Sequence, residues 1–231
     1  VNYGEPNELY SNNGNGTFTE MGDTTGLNDS GDGTAAAWCD YNGDGYPDLY
    51  LVNESSGNIL FKNDGDSTFT DVTTTAGVGH TGSGSAAAWC DFDNDGDFDL
   101  FLANKDSVHV LFRNLGDGTF GRVGESSGLS VRGAARSAAW LDFDRDGNLD
   151  LIVTFSDSAN KLYQNMGDTT FVNVAAPIGI DSLGYWNAAT WADPTNQGAP
   201  DIYLGRRNGR NLYFDNNVNE SWLKVKLQGV V

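Results

Sequence analysis

Acidic side chains recur at alternate positions of three short, glycine-containing segments of the chain. The first segment, "DYNGDGYPD" from Asp40, is followed by "DFDNDGDFD" from Asp91 and "DFDRDGNLD" from Asp142. Oxygen-bearing side chains fall at positions 1, 3, 5 and 9 of each segment, and glycine is at position 6. This alternation lets one stretch of backbone present several oxygens to a hard cation, and glycine permits the turn that brings the carbonyl at position 7 inward.

Oxygen ligands without sulfur or imidazole favour Ca²⁺ over zinc or copper, and their number favours Ca²⁺ over Mg²⁺. The last aspartate precedes an apolar strand, so the segments differ from an EF-hand loop, which is flanked by helices. We therefore predict three Ca²⁺ sites. Their predicted ligands, with the residue at position 7 included for its carbonyl, are Asp40, Asn42, Asp44, Tyr46 and Asp48; Asp91, Asp93, Asp95, Asp97 and Asp99; and Asp142, Asp144, Asp146, Asn148 and Asp150.

A fourth segment, "DPTNQGAPD" from Asp193 to Asp201, keeps the glycine and both terminal aspartates. Thr195 and Gln197 replace the two middle acidic or amide residues. A loop with fewer carboxylates binds Ca²⁺ more weakly. We therefore predict that this loop is empty, weakly binding or held by hydrogen bonds.

The acidic segments belong to a repeat of 51 residues, which is marked by Trp38, Trp89, Trp140 and Trp191. A second element, "LYSNNGNGTF" in its first copy, recurs in the same register. Each repeat contains four short apolar segments separated by Gly, Asn and Asp, without a sustained helical period. This pattern predicts an all-β protein, a β-propeller of four-stranded blades, with either a partial ring or 4–5 blades in this chain.

The predicted organisation has three parts: a half blade of outer strands over 1–33, the repeat blades over 34–217, and the start of a further β segment over 218–231. The repeated tryptophans are expected to pack one blade on the next. Phe18, Phe69, Phe120 and Phe171 are expected to be core anchors. Cys39 and Cys90 are expected to be packing residues, and a disulfide between them is the alternative.

The formal net charge of -19 excludes nucleic acid as an expected partner, because such a surface repels phosphates. No stretch has the roughly 18–20 apolar residues needed to span a bilayer. The first ten residues also lack the basic and apolar regions of a signal peptide. Bound Ca²⁺ would offset part of the negative charge.

Three elements, "AWCDFDNDGDFDLFLAN", "LFRNLGDGTF" and "DVTTTAGV", resemble the FG-GAP and VCBS repeats of integrin α-subunit propellers, and most closely the cartilage acidic protein family. The tail "NNVNESWLKVKLQG" is similar to the start of that family's ASPIC/UnbV segment. The resemblance implies a secreted or cell-surface, calcium-binding propeller. Family members usually have about seven blades, more than this chain provides.

For function, we expect an adhesion or protein-interaction scaffold, with a protein or glycan ligand at the cell surface and possible self-association if the ring is incomplete. The alternative is a lectin-like propeller in which Tyr185 and Trp186 stack on sugars. A hydrolase or lyase is less favoured. The GxSxG match "GESSG", from Gly124, lies in an inter-blade linker. The hydrolase fold with this motif needs a histidine after the serine, but the last histidine of the sequence, His109, precedes it.

Overall fold

The computed structural model describes residues 1–2 and 5–216. Their strands form separate antiparallel sheets, each with its strands in chain order. The first sheet is an N-terminal hairpin of β1 (Tyr10–Asn12) and β2 (Phe18–Glu20). The predicted segment 218–231 lies outside the described residues.

Each repeat then folds into one sheet, which we call a blade. Blade 1 contains β3 (Gly33–Cys39), β4 (Asp48–Asn53), β5 (Ile59–Asn63) and β6 (Phe69–Asp71). Blade 2 contains β7 (Gly84–Cys90), β8 (Asp99–Asn104), β9 (Val110–Asn114) and β10 (Phe120–Arg122). Blade 3 contains β11 (Ala135–Leu141), β12 (Asp150–Phe155), β13 (Lys161–Asn165) and β14 (Phe171–Asn173). The described part of blade 4 contains β15 (Trp186–Ala192), β16 (Asp201–Arg206) and β17 (Leu212–Phe214).

The prediction of an all-β propeller-like array is confirmed. The first strands of successive blades, β3, β7, β11 and β15, pack side by side. Within residues 1–2 and 5–216 the terminal strands β1 and β17 do not pair, so the blades form part of a ring. Closure by pairing of N- and C-terminal strands is therefore not observed in this range.

One-turn helices, which the sequence pattern did not indicate, join the outer strand of one unit to the inner strand of the next. They are α1 (Gly22–Thr25), α2 (Thr73–Ala76) and α3 (Gly124–Ser127). Each ends at a glycine in the left-handed region, for example Gly128 at φ 83°. A Cβ at Gly128 would lie 3.0 Å from the carbonyl oxygen of Phe171, so glycine also allows the close approach of the next blade.

The core consists of apolar layers between consecutive blades. The second strand of blades 1–3 is buried along its whole length, which accounts for continuous apolar runs such as "LFLA" in β8. Between blades 2 and 3, Phe101 contacts Trp140, and Leu151 and Val153 complete the layer. Burial of each such side chain contributes about 1.5–3 kcal/mol to folding.

The repeated tryptophans also form hydrogen bonds between blades. Trp89 Nε1 donates to the carbonyl oxygen of Ala37, and Trp140 Nε1 donates to that of Ala88, both at 3.2 Å. Trp191 Nε1 donates to the carbonyl oxygen of Trp140. The tryptophan thus fixes the registry of neighbouring blades, in addition to the packing role that we expected.

The equivalence of the repeats breaks down at the ends of the array. Phe18 is 61% exposed, although Phe120 and Phe171 are buried as expected. The expectation of a core role for Phe18 is wrong: within residues 1–2 and 5–216 its hairpin is a two-stranded sheet that pairs with no inner strand. Trp38 is likewise half exposed, whereas Trp140 is buried. Cys39 and Cys90 are both free, so the disulfide alternative is not observed.

Candidate metal centre

The acidic segments are the loops that join the first and second strands of each blade. In blade 1 the loop leaves β3 after Cys39 and enters β4 at Asp48, and these two residues are paired in the antiparallel register. The same pairing joins Cys90 to Asp99 in blade 2. The loops therefore occur at equivalent positions and lie along one edge of the array.

The first aspartate of each loop organises the turn. In blade 1 the two carboxylate oxygens of Asp40 accept hydrogen bonds from the N–H groups of Asp44 and Gly45, at 3.1 and 2.9 Å. Asp91 and Asp142 accept the equivalent pairs of bonds in blades 2 and 3. The glycine has a positive φ in each loop, 88° at Gly45, as its predicted role in the turn requires.

The last aspartate of each loop is completely buried at Asp48, Asp99 and Asp150. Asp99 Oδ1 accepts a hydrogen bond from the N–H of Asn114 at 2.8 Å, and its Oδ2 accepts one from the N–H of Phe92 at 3.0 Å. Asp48 and Asp150 accept equivalent bonds. These carboxylates connect the loop to the third strand of the blade.

Burial raises the pKa of these carboxyl groups, to about 6 for Asp48 and to about 7 for Asp99 and Asp150. Donated backbone N–H groups oppose the increase, and other carboxylates of the same loop add to it. The charged form is disfavoured because the carboxylate has lost hydration. A cation beside it would restore the balance in favour of ionisation.

Three carboxylates converge in two of the loops, each with an oxygen within 4.8 Å of the others. These groups are Asp91, Asp93 and Asp99 in blade 2, and Asp142, Asp144 and Asp146 in blade 3. Asp93 Oδ1 is buried and accepts no hydrogen bond, so it is an oxygen available to a cation. In blade 1 the amide of Asn42 replaces one carboxylate, and its Nδ2 lies 3.4 Å from Asp48 Oδ2.

Residues on the third strand face the loops, and the sequence analysis did not identify them. Lys62 Nζ lies 3.2 Å from Asp44 Oδ2, and Arg113 Nε lies 2.6 Å from Asp93 Oδ2. In blade 3 the equivalent residue is neutral: Gln164 Nε2 donates to Asp144 Oδ2 at 2.6 Å. Their common spacing of 51 residues is the signal that could have identified them.

The position-7 residues, predicted as carbonyl ligands, form the last turn of each loop. The N–H groups of Tyr46, Asp97 and Asn148 donate to the position-5 carboxylates at 3.0, 3.1 and 2.8 Å. These bonds hold the chain in a compact turn around the position-5 side chain.

The fourth loop keeps the same hydrogen-bonded frame without the middle acids. Asp193 accepts from the N–H groups of Gln197 and Gly198, at 2.9 and 2.8 Å. Asp201 accepts from the N–H of Asn216 at 2.8 Å and from the hydroxyl of Tyr213. The predicted hydrogen bonds are present, and weak or absent metal binding at this loop stays a prediction.

The serine of the GxSxG match has a structural role. Ser126 Oγ donates to the carbonyl oxygen of Val123 at 3.0 Å. Thr24 and Thr75 form the same bond in the other one-turn helices, to the carbonyls of Met21 and Val72. The hydroxyl therefore caps a local turn that recurs in every linker of this type.

Trp186, considered as a sugar-stacking residue, is fully buried, and its Nε1 donates to the carbonyl oxygen of Ser182 at 2.9 Å. The guanidinium groups of Arg136 and Arg207 lie 5.1 and 5.2 Å from the ring centroid of Tyr185. These contacts favour packing over sugar stacking for this pair.

Repeated antiparallel blades with an acidic loop in each define a propeller-like repeat protein. Four overlapping segments, 1–51, 40–102, 91–153 and 142–204, match the FG-GAP-like repeat. The chain therefore belongs to the FG-GAP-like repeat family.

Curated relatives of this chain are forms of Cartilage acidic protein 1. The human protein is 28% identical over 196 residues, which cover 77% of this chain and 29% of the relative. The Xenopus tropicalis protein is 30% identical over 215 residues, which cover 82% and 33%. The chain thus spans a third or less of the length of these relatives.

Two solved structures resemble this chain. One is an Agrocybe aegerita lectin described for its recognition of non-reducing terminal N-acetylglucosamine, with a TM-score of 0.46 and 20% identity over 78% of this chain and 51% of the lectin. The other is the V. cholerae biofilm matrix protein Bap1, with a TM-score of 0.44 and 16% identity over 78% of this chain and 30% of Bap1. In the described residues, no helix is long and apolar enough to cross a membrane.

Proposed function

We propose that the loops of blades 1–3 bind Ca²⁺ and that this stabilises an extracellular scaffold for protein interaction. The observation that carries the metal assignment is the buried position of Asp99 beside Asp91 and Asp93 in blade 2. Asp48 and Asp150 are buried at the equivalent positions, and three carboxylates also converge in the loop of blade 3. A buried carboxylate without a cation is costly, and a group of them is costlier still. A hard divalent cation would supply the missing positive charge.

The donor set fits Ca²⁺ better than a softer metal. Every side chain that would hold the ion offers carboxylate or amide oxygen, and no histidine or cysteine sulfur belongs to the predicted set. The hydrogen bonds to Asp40, Asp91 and Asp142 hold each loop in shape before the ion arrives. This reduces the ordering required upon binding.

Calorimetric titration of metal-depleted protein with CaCl₂ tests the assignment. We expect three binding events, and much weaker heats with MgCl₂, since Mg²⁺ demands a stricter octahedral geometry and dehydrates reluctantly. Absence of saturable Ca²⁺ binding at millimolar concentrations would refute the assignment.

The scaffold role is supported by the architecture and by the family. The blades present a rigid, repeated surface, and the serine of the only GxSxG segment serves a turn. Extracellular localisation is supported by the similarity to Cartilage acidic protein 1 and by the suitability of millimolar extracellular Ca²⁺ for loops of this kind. We infer that the partner is a protein at the cell surface.

Cell attachment tests this role. Surfaces coated with the Ca²⁺-loaded chain should retain cells, and chelation should release them because the blades loosen. A glycan array probed with the same protein separates the two ligand classes. Saturable, Ca²⁺-dependent glycan binding without cell attachment would favour a lectin and count against the scaffold.

A further inference from the structure

The first strand of each blade has a β-bulge at the same repeat position. The bulged residue is Thr34 in blade 1, Ser85 in blade 2 and Arg136 in blade 3. Thr34 and Ser85 donate their hydroxyl hydrogens to backbone carbonyl groups of the second strand, both at 3.2 Å. A bulge redirects the side chain that it carries, and blade 3 has a long cationic side chain at this position.

Arg136 reaches the segment that leads into blade 4. Its Nη2 donates to the hydroxyl of Tyr185, and its guanidinium carbon lies 5.1 Å from the centroid of that ring. The guanidinium carbon of Arg207 lies 5.2 Å from the same centroid, and the N–H of Arg207 donates to the carbonyl oxygen of Tyr185 at 3.0 Å. Two guanidinium groups from different blades therefore lie beside one tyrosine. We call Arg136, Tyr185 and Arg207 the arginine site.

Neither arginine of this site forms an ion pair with a carboxylate of the described residues. The repeat explains this for Arg207. Its equivalent in blade 2, Lys105, pairs with Glu54 of the preceding blade, with 2.8 Å between Nζ and Oε2. The blade before Arg207 has the neutral Ser156 in the place of that glutamate. Both blades of this contact are described, so the missing partner reflects a change of residue.

A second acidic position of the repeat is also neutral next to Arg207. Asp106 of blade 2 and Asp157 of blade 3 are equivalent, and blade 4 has Asn208 there. Asp157 accepts a hydrogen bond from the N–H of Ala134 at 3.0 Å. The Nε of Arg136 is buried and has no hydrogen-bond partner within the described part of the chain. Because a buried donor without an acceptor is unfavourable, an added oxygen acceptor would be stabilised at this site.

We propose that the arginine site binds carboxylate groups of a short acidic segment in the partner protein. A guanidinium is a planar fork that pairs with both oxygens of a carboxylate, and its contact with an aromatic ring uses none of its N–H donors. Tyr185 holds the two forks close together. The inference rests on the proposed scaffold function and adds the chemical class of the segment that the scaffold recognises.

Charge favours a short acidic segment over an extended polyanion. The chain has a formal net charge of -19, so a polysulfated glycan would be repelled wherever it runs beyond the site. At about 0.15 M salt the screening length is about 8 Å, so one or two carboxylates at the site interact mainly with the two guanidinium groups.

An NMR titration of the isotope-labelled full chain with an acetylated, amidated tetraglutamate peptide tests the site directly. We expect saturable binding with a Kd of about 0.1–1 mM, which weakens as salt is added. Arg136→Gln and Arg207→Gln should each weaken binding by about tenfold. Arg132→Gln is the matched control: it removes the same charge from the linker before blade 3, where Arg132 Nη1 donates to the carbonyl oxygen of Asp106. This variant should bind like the unmodified chain.

Cell attachment separates a failure of this inference from a failure of the scaffold role. The double variant Arg136→Gln, Arg207→Gln should bind no peptide and retain fewer cells than Arg132→Gln, and circular dichroism checks that it is folded. Undiminished cell attachment by the double variant would overturn the inference and leave the scaffold role intact. Peptide binding without cell attachment by the unmodified chain would support the site and refute the scaffold role.

The titration itself has two further outcomes that would overturn the inference. One is the absence of saturable peptide binding by the unmodified chain, or equal binding by the folded double variant. The other is tighter binding of a sulfated hexasaccharide that is lost in the same two arginine variants, which would identify a sulfated glycan as the ligand in place of an acidic peptide.

Discussion

Arg113, on strand β9, reaches the acidic loop of blade 2, where its Nε lies 2.6 Å from Oδ2 of Asp93. The same guanidinium donates through Nη2 to Asp95 Oδ2 at 2.9 Å. The loop of blade 2 therefore carries its own cation, and that of blade 3 has the neutral Gln164 in the equivalent place. A tethered cation competes with a metal ion for the same oxygens, so the loops should differ in affinity.

Arg113→Gln should tighten Ca²⁺ binding at the blade 2 loop by about tenfold, which corresponds to about 1.4 kcal/mol. Removal of the guanidinium frees Asp93 and Asp95 and removes a repulsive charge. Calorimetry or Tb³⁺ luminescence would measure the change. Gln164→Arg is the matched reverse substitution and should weaken the blade 3 site by a similar factor. Unchanged affinities in both variants would show that the tethered cation does not compete.

Asp144→Ala should remove one Ca²⁺-binding event and leave the others, because Asp144 supplies a position-3 carboxylate to the cluster of blade 3. It is exposed to solvent at the loop, so the effect on folding should be small. Titration calorimetry counts the remaining events. Thr195→Ala makes the equivalent change in the fourth loop and should remove none. Loss of a binding event in the Thr195 variant would contradict the prediction that the fourth loop is weak.

Chelation of Ca²⁺ should lower the melting temperature. A ligand at 100 times its Kd adds about 2.7 kcal/mol to the free energy of unfolding. For a chain of this size that corresponds to about 5–10 °C for each occupied site. Differential scanning calorimetry with EDTA and with added CaCl₂ makes the measurement. A melting temperature that is the same in both buffers would show that Ca²⁺ binding at the loops does not stabilise the fold.

His109→Asn should make the free energy of unfolding less dependent on pH in mild acid. Burial lowers the pKa of His109 from 6.5 to about 4, and its Nδ1 accepts a hydrogen bond from the N–H of Asn104 at 3.2 Å. The unfolded state binds the proton first, so the stability due to neutral His109 is present above pH about 6.5 and is lost as pH falls towards about 4. The loss amounts to about 3 kcal/mol.

Asparagine is the matched replacement because Asn58 and Asn160 occupy this place in blades 1 and 3. Their Oδ1 atoms accept the same backbone hydrogen bond, from Asn53 and Phe155. The informative measurement is the difference in free energy of unfolding between variant and unmodified protein at pH 4.5 and 7, since buried aspartates change stability in the opposite direction. A difference that does not vary with pH would contradict the assignment.

The sequence predicted the repeated elements well because each blade uses the same local signals. Alternate acidic residues, the turn glycine and the apolar strand after the last aspartate are adjacent in the chain. The loop residues Asp40, Asp44 and Gly45 therefore form in the structure the compact turn that their spacing indicates. The same reasoning found the fourth loop, where Asp193 keeps the frame.

No pattern in the sequence indicated which side chains meet across strands. Lys62 and Arg113 reach the loops from a third strand, and Trp186 is buried by contacts with the preceding linker and with Arg206. The burial of Phe18 could not be predicted from its repeat position either. That position predicts burial, but Phe18 is exposed at the end of the described array. Burial depends on neighbours that are distant in sequence.

The amino-acid sequence by itself determined the repeat, the class of fold and the residues of the acidic loops, because these depend on spacings within about 50 residues. Tertiary structure decided which loops carry a built-in cation and which aspartates are buried. It also decided that the tryptophan and third-strand asparagine side chains of one blade donate to backbone carbonyl groups of the blade before it. The physical reason is that desolvation and charge pairing arise only when strands from different parts of the chain are packed together.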